Sequence, residues 1–206
     1  MIVGLDEYRL KYDFSDAKGI IHVGAHIGQE YQDYNNFFCK DIPIYWFEPQ
    51  TDVFLTLVRN LGDKKNNFFY NFGLGSNYEK KLFWKDSGND GQSSSFSTPE
   101  KHSEIFPHIT FDSSEYLEIR TLDSFNIEEA NVLVLDVQGF ELEVLKGSVN
   151  TLESIDHIFC EVDSVNLYQD SPGLDVLNSF LGERGFHLKE IWWTSTGWGD
   201  GYWSKK

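Results

Sequence analysis

Positive charge is what this sequence has least of. Lysine and arginine number 17 in 206 residues against 33 aspartates and glutamates, a formal net charge of −16. Basic residues adjoin only at Lys64-Lys65, Lys80-Lys81 and Lys205-Lys206. A nucleic-acid binder needs a cationic surface to displace phosphate counterions, so DNA and RNA are disfavoured as partners. The same acidity argues against docking on an anionic membrane, while it suits a cationic cofactor and a neutral substrate. Cysteine is nearly absent: Cys39 and Cys160 have no metal-type spacing, and Cys160, inside the apolar run IDHIFCEV, reads as a small core hydrophobe. Reduced thiols in a reducing compartment are expected. No apolar run reaches membrane-spanning length, and the mixed charges of residues 1–16 do not read as a signal peptide, so the expected address is cytoplasmic. No internal repeat and no linker divides the chain.

What is present is apolar patterning. Hydrophobic residues make up 40% and aromatics 16%, enough for one domain with a real interior. Residues 19–23 (GIIHV), 42–48 (IPIYWFE) and 67–74 (NFFYNFGL) read as strands. Helical patterns follow the first two, over 28–40 and 51–61, the latter with Thr51 as a plausible N-cap. Strand fragments are expected at 79–85 and 116–120. Between them, over about 86–115, runs a polar Ser/Gly-rich insertion that reads as a lid over a substrate pocket. Alternation then resumes: a short helix over 121–129, a buried strand NVLVLDV (131–137), a helix over 140–148 and a strand over 155–162. A helix over 172–184, stopped by Gly185, and two strands over 186–193 and 201–204 complete the chain. The turn TSTGWGD makes that last pair an antiparallel hairpin at the sheet edge. The expectation is a single doubly wound, Rossmann-like α/β domain over 1–206.

In such a sheet, ligands bind outside the carboxyl ends of the strands. The first strand ends in Gly24, Ala25, His26, Ile27 and Gly28, where glycine permits a tight turn and close approach of a ligand. The second ends in Glu48, an acid placed to hold ribose hydroxyls; loop and acid together form a nucleoside-binding signal. Asp136 ends the apolar run VLVLD and must be desolvated or paired, and Glu161 ends the neighbouring strand. Strands about 4.8 Å apart would let these two carboxyls share a cation or a proton. Glu141 and Glu143 open a helix, where the macrodipole suffices to account for acids.

The blocks IIHVGAHIGQE, YWFEP, NFGLGS, GQSSSF, RTLDSF, LVLDVQGFELEVLKGS, IFCEV and GWGDGYW, in that order, resemble the FkbM family of S-adenosylmethionine-dependent methyltransferases. The resemblance runs from about Gly19 to Trp203 and is most specific through TLDSF followed by LDVQGFELEVLKG. It implies a seven-stranded class I methyltransferase sheet, an S-adenosylmethionine cofactor and O-methylation of a sugar or natural-product hydroxyl. By position, Gly24 to Gly28 would wrap the methionine part of the cofactor, Glu48 with Pro49 beside it would hold the ribose, and Gly73 and Leu74 would border the adenine. Asp136 and Gln138 would stand near the sulfonium, with Ser93, Ser94 and Ser95 over the site. One departure is His22, where the wider class usually carries an acid; inside the first strand it reads as a hydrogen-bonded core histidine.

A sugar hydroxyl is hardly ionised near neutral pH, so a base or a metal must help remove its proton. His26 and Asp136 are the candidate bases; a second version has Asp136 and Glu161 holding Mg²⁺. His102 and His108, which read as exposed loop histidines on the insertion, are further candidates. Trp198, with Trp192, Trp193 and Tyr202 near the hairpin, offers rings on which a sugar can stack. Two other classes stay open. A nicotinamide oxidoreductase expects G-x-G-x-x-G where this chain has GAHIGQE, and a non-catalytic binding module would keep the fold without turnover.

Overall fold

A computed structural model of the chain describes residues 5–38, 41–169 and 171–206, so Cys39 lies outside the described residues. The first half consists of α1 (Leu5–Lys11), β1 (Ile20–Val23), α2 (Tyr31–Phe38), β2 (Ile44–Phe47), α3 (Thr51–Leu61) and β3 (Asn67–Tyr70). The middle is β4 (Gly73–Leu74), β5 (Glu79–Ser87), α4 (His102–Ile105) and β6 (Thr110–Arg120). The last part holds β7 (Val132–Leu135), α5 (Glu141–Lys146), β8 (His157–Asp163), α6 (Leu174–Gly182), β9 (His187–Trp193) and β10 (Trp198–Ser204).

Seven strands make one sheet in the order β3-β2-β1-β7-β8-β10-β9. The first five run parallel, and β10 lies antiparallel between β8 and β9. The central strands are buried on both faces, as crossover helices require. Alternation splits them between two cores: Ile21, Val23, Phe47, Leu133 and Leu135 on one side, Ile20, Trp46, Val132 and Val134 on the other. His22 is the polar residue on the second face. It is buried against Trp46, and its Nδ1 lies 2.8 Å from the Tyr34 hydroxyl, the environment expected of a core histidine. Burial holds its pKa below the ordinary imidazole value.

Matching register brings the ends of the central strands level. Val23 pairs with Phe47 and with Leu135, and Leu135 pairs with Cys160. The next residue on each strand is therefore Glu48, Gly24, Asp136 or Glu161, and all four stand in one row at the carboxyl edge. Asp200 of β10 pairs with Glu161 and extends that row.

Several local expectations are corrected. Residues 67–74 form two strands, because the chain leaves the main sheet at Asn71, whose side-chain amide donates to the carbonyls of Glu48 and Pro49. β4 joins a second, three-stranded sheet, β4-β6-β5. Helix α2 begins at Tyr31 because Gly28 has φ +77°, outside helical geometry. Thr51 is the first helical residue of α3 rather than its cap, and its hydroxyl donates to Asn71 Oδ1 at 3.1 Å. The expected helix over 121–129 is one 3₁₀ turn, Leu122–Phe125, closed by left-handed Asn126.

The family-specific blocks meet in this region. The Asp123 carboxylate of TLDSF accepts from Asn150 N, Thr151 N and Thr151 Oγ1 at 3.0, 2.8 and 2.8 Å. Gly147 of LEVLKG lies so close to NFGLGS that a Cβ would sit 2.0 Å from the Gly75 carbonyl oxygen. These motifs form the joint between the two sheets.

The insertion is shorter than expected and ordered. β5 and β6 pair antiparallel from Glu79↔Ile119 to Ser87↔Thr110, taking residues assigned to the loop. Asp86 then folds the next segment by accepting from the backbone of Asn89, Gly91 and Ser93 at 3.1, 3.2 and 2.6 Å.

Candidate active site

A cavity of about 400 Å³ lies over the carboxyl edge of the main sheet, within the size range of small-molecule sites. Its floor carries Gly24, Glu48, Asp136 and Glu161, its wall on the second sheet carries Phe72, Gly73 and Leu74, and Trp198 closes one side. The insertion supplies the opposite wall through Ser93, Ser94, His102 and His108.

Gly24 is dictated by this packing. Its φ is +85°, and a Cβ there would sit 1.8 Å from the carbonyl oxygen of Asp136. Gly28 serves a different contact: its missing Cβ admits Leu57 and Leu61 of α3 at 2.7 and 2.6 Å. Ala25 is fully buried under the loop, and the Ile27 carbonyl accepts from the Asn60 amide. Neither they nor Gly28 lines the cavity, whereas Gly24, His26 and Pro49 do.

Glu48 is buried, with Oε2 accepting from His26 N at 2.9 Å and Oε1 from Gln50 N at 2.8 Å. These bonds favour the carboxylate, but desolvation outweighs them and pushes its pKa up to about 8. Asp136 and Glu161 are a coupled pair. Burial and the neighbouring charge of Asp136 drive Glu161 well above the carboxylate range, so the pair's proton resides on Glu161. The Gln138 side-chain amide donates to Asp136 Oδ1 at 2.9 Å and also to Glu161 Oε2. Gln138 has left-handed φ +56°, and its Oε1 accepts from Tyr168 at 3.1 Å. Beside this group, burial pushes Glu141 up to about 7; it caps Gly139 N at 3.0 Å.

The Asp136–Glu161 pair is poorly suited to Mg²⁺. The Gln138 amide already donates to one oxygen of each carboxyl group. Among the described residues, no three His, Cys, Asp or Glu side chains are grouped to hold a metal ion.

His26 is also engaged. Its Nε2 lies 2.8 Å from the Asp90 carbonyl, an acceptor, so that nitrogen carries the hydrogen; its Nδ1 lies 3.2 Å from the Gln29 side chain. His26 thus clasps the insertion. The three serines do similar work. Ser93 Oγ accepts from the Asn89 amide, and Ser94 Oγ accepts from Asp86 N. Ser95, which does not line the cavity, donates to Gln138 O at 2.6 Å. Ser97 likewise donates to Gly139 O.

Sequence reasoning missed Asp200, because nothing in the sequence sets β10 beside β8. It also missed Tyr168, whose hydroxyl donates to Ser93 O as well as to Gln138. His102 is buried rather than exposed.

The strand order, with one antiparallel strand next to the edge, and the ligand-sized cavity over the carboxyl ends define a class I S-adenosylmethionine-dependent methyltransferase fold. The chain belongs to the FkbM methyltransferase family, whose methyltransferase FkbM domain matches residues 22–188. That membership replaces the nicotinamide oxidoreductase reading. The chain is 24% identical over 175 residues to the 2-O-methyltransferase NoeI of Sinorhizobium fredii, covering 78% of this chain and 71% of that one. It superposes on the crystal structure of methyltransferase FkbM from Methylobacillus flagellatus with a TM-score of 0.64 at 16% identity, covering 94% of this chain. It spans 45% of that larger chain. Magnesium protoporphyrin IX methyltransferase from Synechocystis, solved with bound S-adenosylmethionine, shares the fold at a TM-score of 0.50 and 10% identity, over 91% of this chain and 69% of that one. No helix among the described residues is long and apolar enough to cross a membrane.

Proposed function

We propose that this protein transfers a methyl group from S-adenosylmethionine to a hydroxyl of a neutral small-molecule or carbohydrate acceptor. The observation that carries the proposal is the row Glu48–Gly24–Asp136–Glu161 beneath a cavity whose described lining contains no lysine or arginine.

Each member of the row has a task in such a site. Gly24 leaves room for the methionine part of the cofactor, and Glu48 holds the ribose hydroxyls with the lone pairs that its two backbone donors leave. Gly73 and Leu74 border the adenine. Asp136 keeps a negative charge near the cationic sulfonium, while Glu161 stays neutral and Gln138 fixes both carboxyl groups. S-adenosylmethionine, when bound, supplies a methyl group on a good leaving group, so the protein's share is mostly alignment, worth up to about 7–11 kcal/mol. A phosphorylated or carboxylated acceptor would meet acids without a compensating cation, which favours a neutral one. NoeI is named a 2-O-methyltransferase, which supports oxygen as the methyl acceptor here.

Calorimetric titration with S-adenosylhomocysteine, with NAD as control, tests the cofactor site. Binding is expected in the wild type and should weaken about 10-fold or more in Glu48→Ala, given roughly 0.5–1.5 kcal/mol for each of two hydroxyl bonds to a carboxyl that burial keeps neutral. A folded protein that binds neither ligand would leave the non-catalytic reading in its place.

A further inference from the structure

Methyl transfer to a hydroxyl needs an acceptor for its proton, and the row on the sheet is poorly placed to be one. Glu161 already holds a proton, and Asp136 is held charged below the ordinary carboxylate range, which makes it a weak base. His26 is engaged at both ring nitrogens, Nε2 with the Asp90 carbonyl and Nδ1 with the Gln29 side chain. His108 lines the cavity but is exposed to solvent.

His102 differs from all of these. It opens α4 on the insertion, lines the cavity and is only 2% exposed. Its ring packs among Phe106, Phe111 and Tyr168 at centroid distances of 5.2, 5.3 and 5.3 Å. Its Nδ1 has no hydrogen-bond partner. An unpartnered, buried imidazole nitrogen costs free energy that a purely packing residue such as phenylalanine would avoid. Burial also favours the neutral ring, the form that keeps a lone pair; Asp86 and the backbone of His102 itself oppose this shift, while His108 adds to it. Tyr168 faces the ring from the loop after β8, and Asp136, Glu161 and His26 stand elsewhere on the cavity lining.

From this geometry we infer that His102 is the general base for the acceptor hydroxyl, an inference that rests on the methyl-transfer reading above. The acceptor oxygen bonds to the methyl carbon as the carbon–sulfur bond breaks. That bond's electron pair stays on sulfur, and the hydroxyl proton passes to the unprotonated nitrogen of His102 and then to solvent. A neutral imidazole at neutral pH can take up this proton without a metal.

The test uses His102→Phe, which keeps an aromatic ring against Phe106, Phe111 and Tyr168, and His102→Ala with added imidazole. The acceptor probes are a panel of neutral methyl glycosides, scored by transfer of radiolabelled methyl. The expected result has three parts. S-adenosylhomocysteine affinity stays within about 3-fold of wild type in both variants, kcat falls about 10²–10⁴-fold, and imidazole restores part of the rate in His102→Ala. The wild-type kcat/KM should fall on the acidic side as His102 protonates, a limb that His102→Phe lacks. One readout is independent of turnover: a ¹⁵N NMR titration of the wild type should place the His102 pKa below 6.5. Wild-type turnover in His102→Phe, or a His102 pKa above 7, overturns the assignment. Failure of the wild type to bind S-adenosylhomocysteine overturns the methyl-transfer reading itself, and the base with it.

Discussion

Glu48→Gln is expected to raise stability at alkaline pH while weakening cofactor binding. The cause is proton linkage. A carboxyl whose pKa rises on folding prefers to be neutral in the folded state. Its contribution is therefore fully present below the unfolded value and is lost as pH rises through the folded one. For Glu48 those values are the ordinary 4.5 and about 8. At about 1.4 kcal/mol per pH unit, the wild type loses about 5 kcal/mol across that window. Glutamine is neutral throughout and loses nothing. It has its own fixed cost: its NH₂ must face either His26 N or Gln50 N, two donors, at about 1–3 kcal/mol. The variant should accordingly be less stable than wild type near pH 5 and more stable above pH 8. For a domain of this size, 1 kcal/mol moves Tm by about 2–4 °C, so the swing is roughly 10–20 °C. Thermal unfolding of both proteins, followed by circular dichroism from pH 5 to 9, measures it. A stability gap that stays flat within about 1 kcal/mol would refute the claim that burial dominates at Glu48.

Gly24→Ala places a Cβ against the Asp136 carbonyl at a φ that L-residues avoid, and should cost about 3 kcal/mol or more in urea unfolding, with loss of S-adenosylhomocysteine binding. Ser95→Ala with Ser97→Ala removes the donors to Gln138 O and Gly139 O; limited proteolysis should cut the insertion faster, with about 1–3 kcal/mol lost per orphaned carbonyl. Asp123→Ala leaves Asn150 N and Thr151 N without their acceptor, and should lower Tm while cofactor affinity per folded molecule is unchanged. Among acceptor probes, a sugar phosphate should be methylated at least 10-fold less efficiently than the neutral sugar, read as kcat/KM.

Much of the main sheet was legible because its strands are short apolar runs ended by residues that cannot continue them. VLVLD stops at a half-buried acid, YWFEP at an acid and a proline, and GIIHVG at a glycine. The same stops delivered Gly24, Glu48 and Asp136 to one edge, since parallel strands in matching register end together. What stayed hidden was long-range. Local composition suggested that the insertion was a loop of 30 residues, yet Asp86 folds part of it and β6 claims another part through pairing with β5. His102 read as an exposed loop residue because nothing nearby in the sequence announces Phe111 and Tyr168 as its neighbours. Asp200 joins the acidic row only because β10 turns in beside β8.

The residues most diagnostic of the family and those best suited to chemistry are largely different sets. TLDSF and LEVLKG, the most specific blocks, meet where Asp123 caps the chain at Asn150 and Gly147 lies against Gly75. Their identity is fixed by backbone proximity: no other side chain fits at Gly147, and few others could accept from Asn150 N, Thr151 N and Thr151 Oγ1 together. Glu48, Asp136 and Glu161 are ordinary acids at strand ends, and it is the register that brings them into one row. Loss of the joint and loss of the acids should therefore separate in experiment. Asp123→Ala should unfold the protein at lower temperature without changing what the folded fraction binds. Glu48→Gln should weaken binding in a protein that, above pH 8, outlasts the wild type.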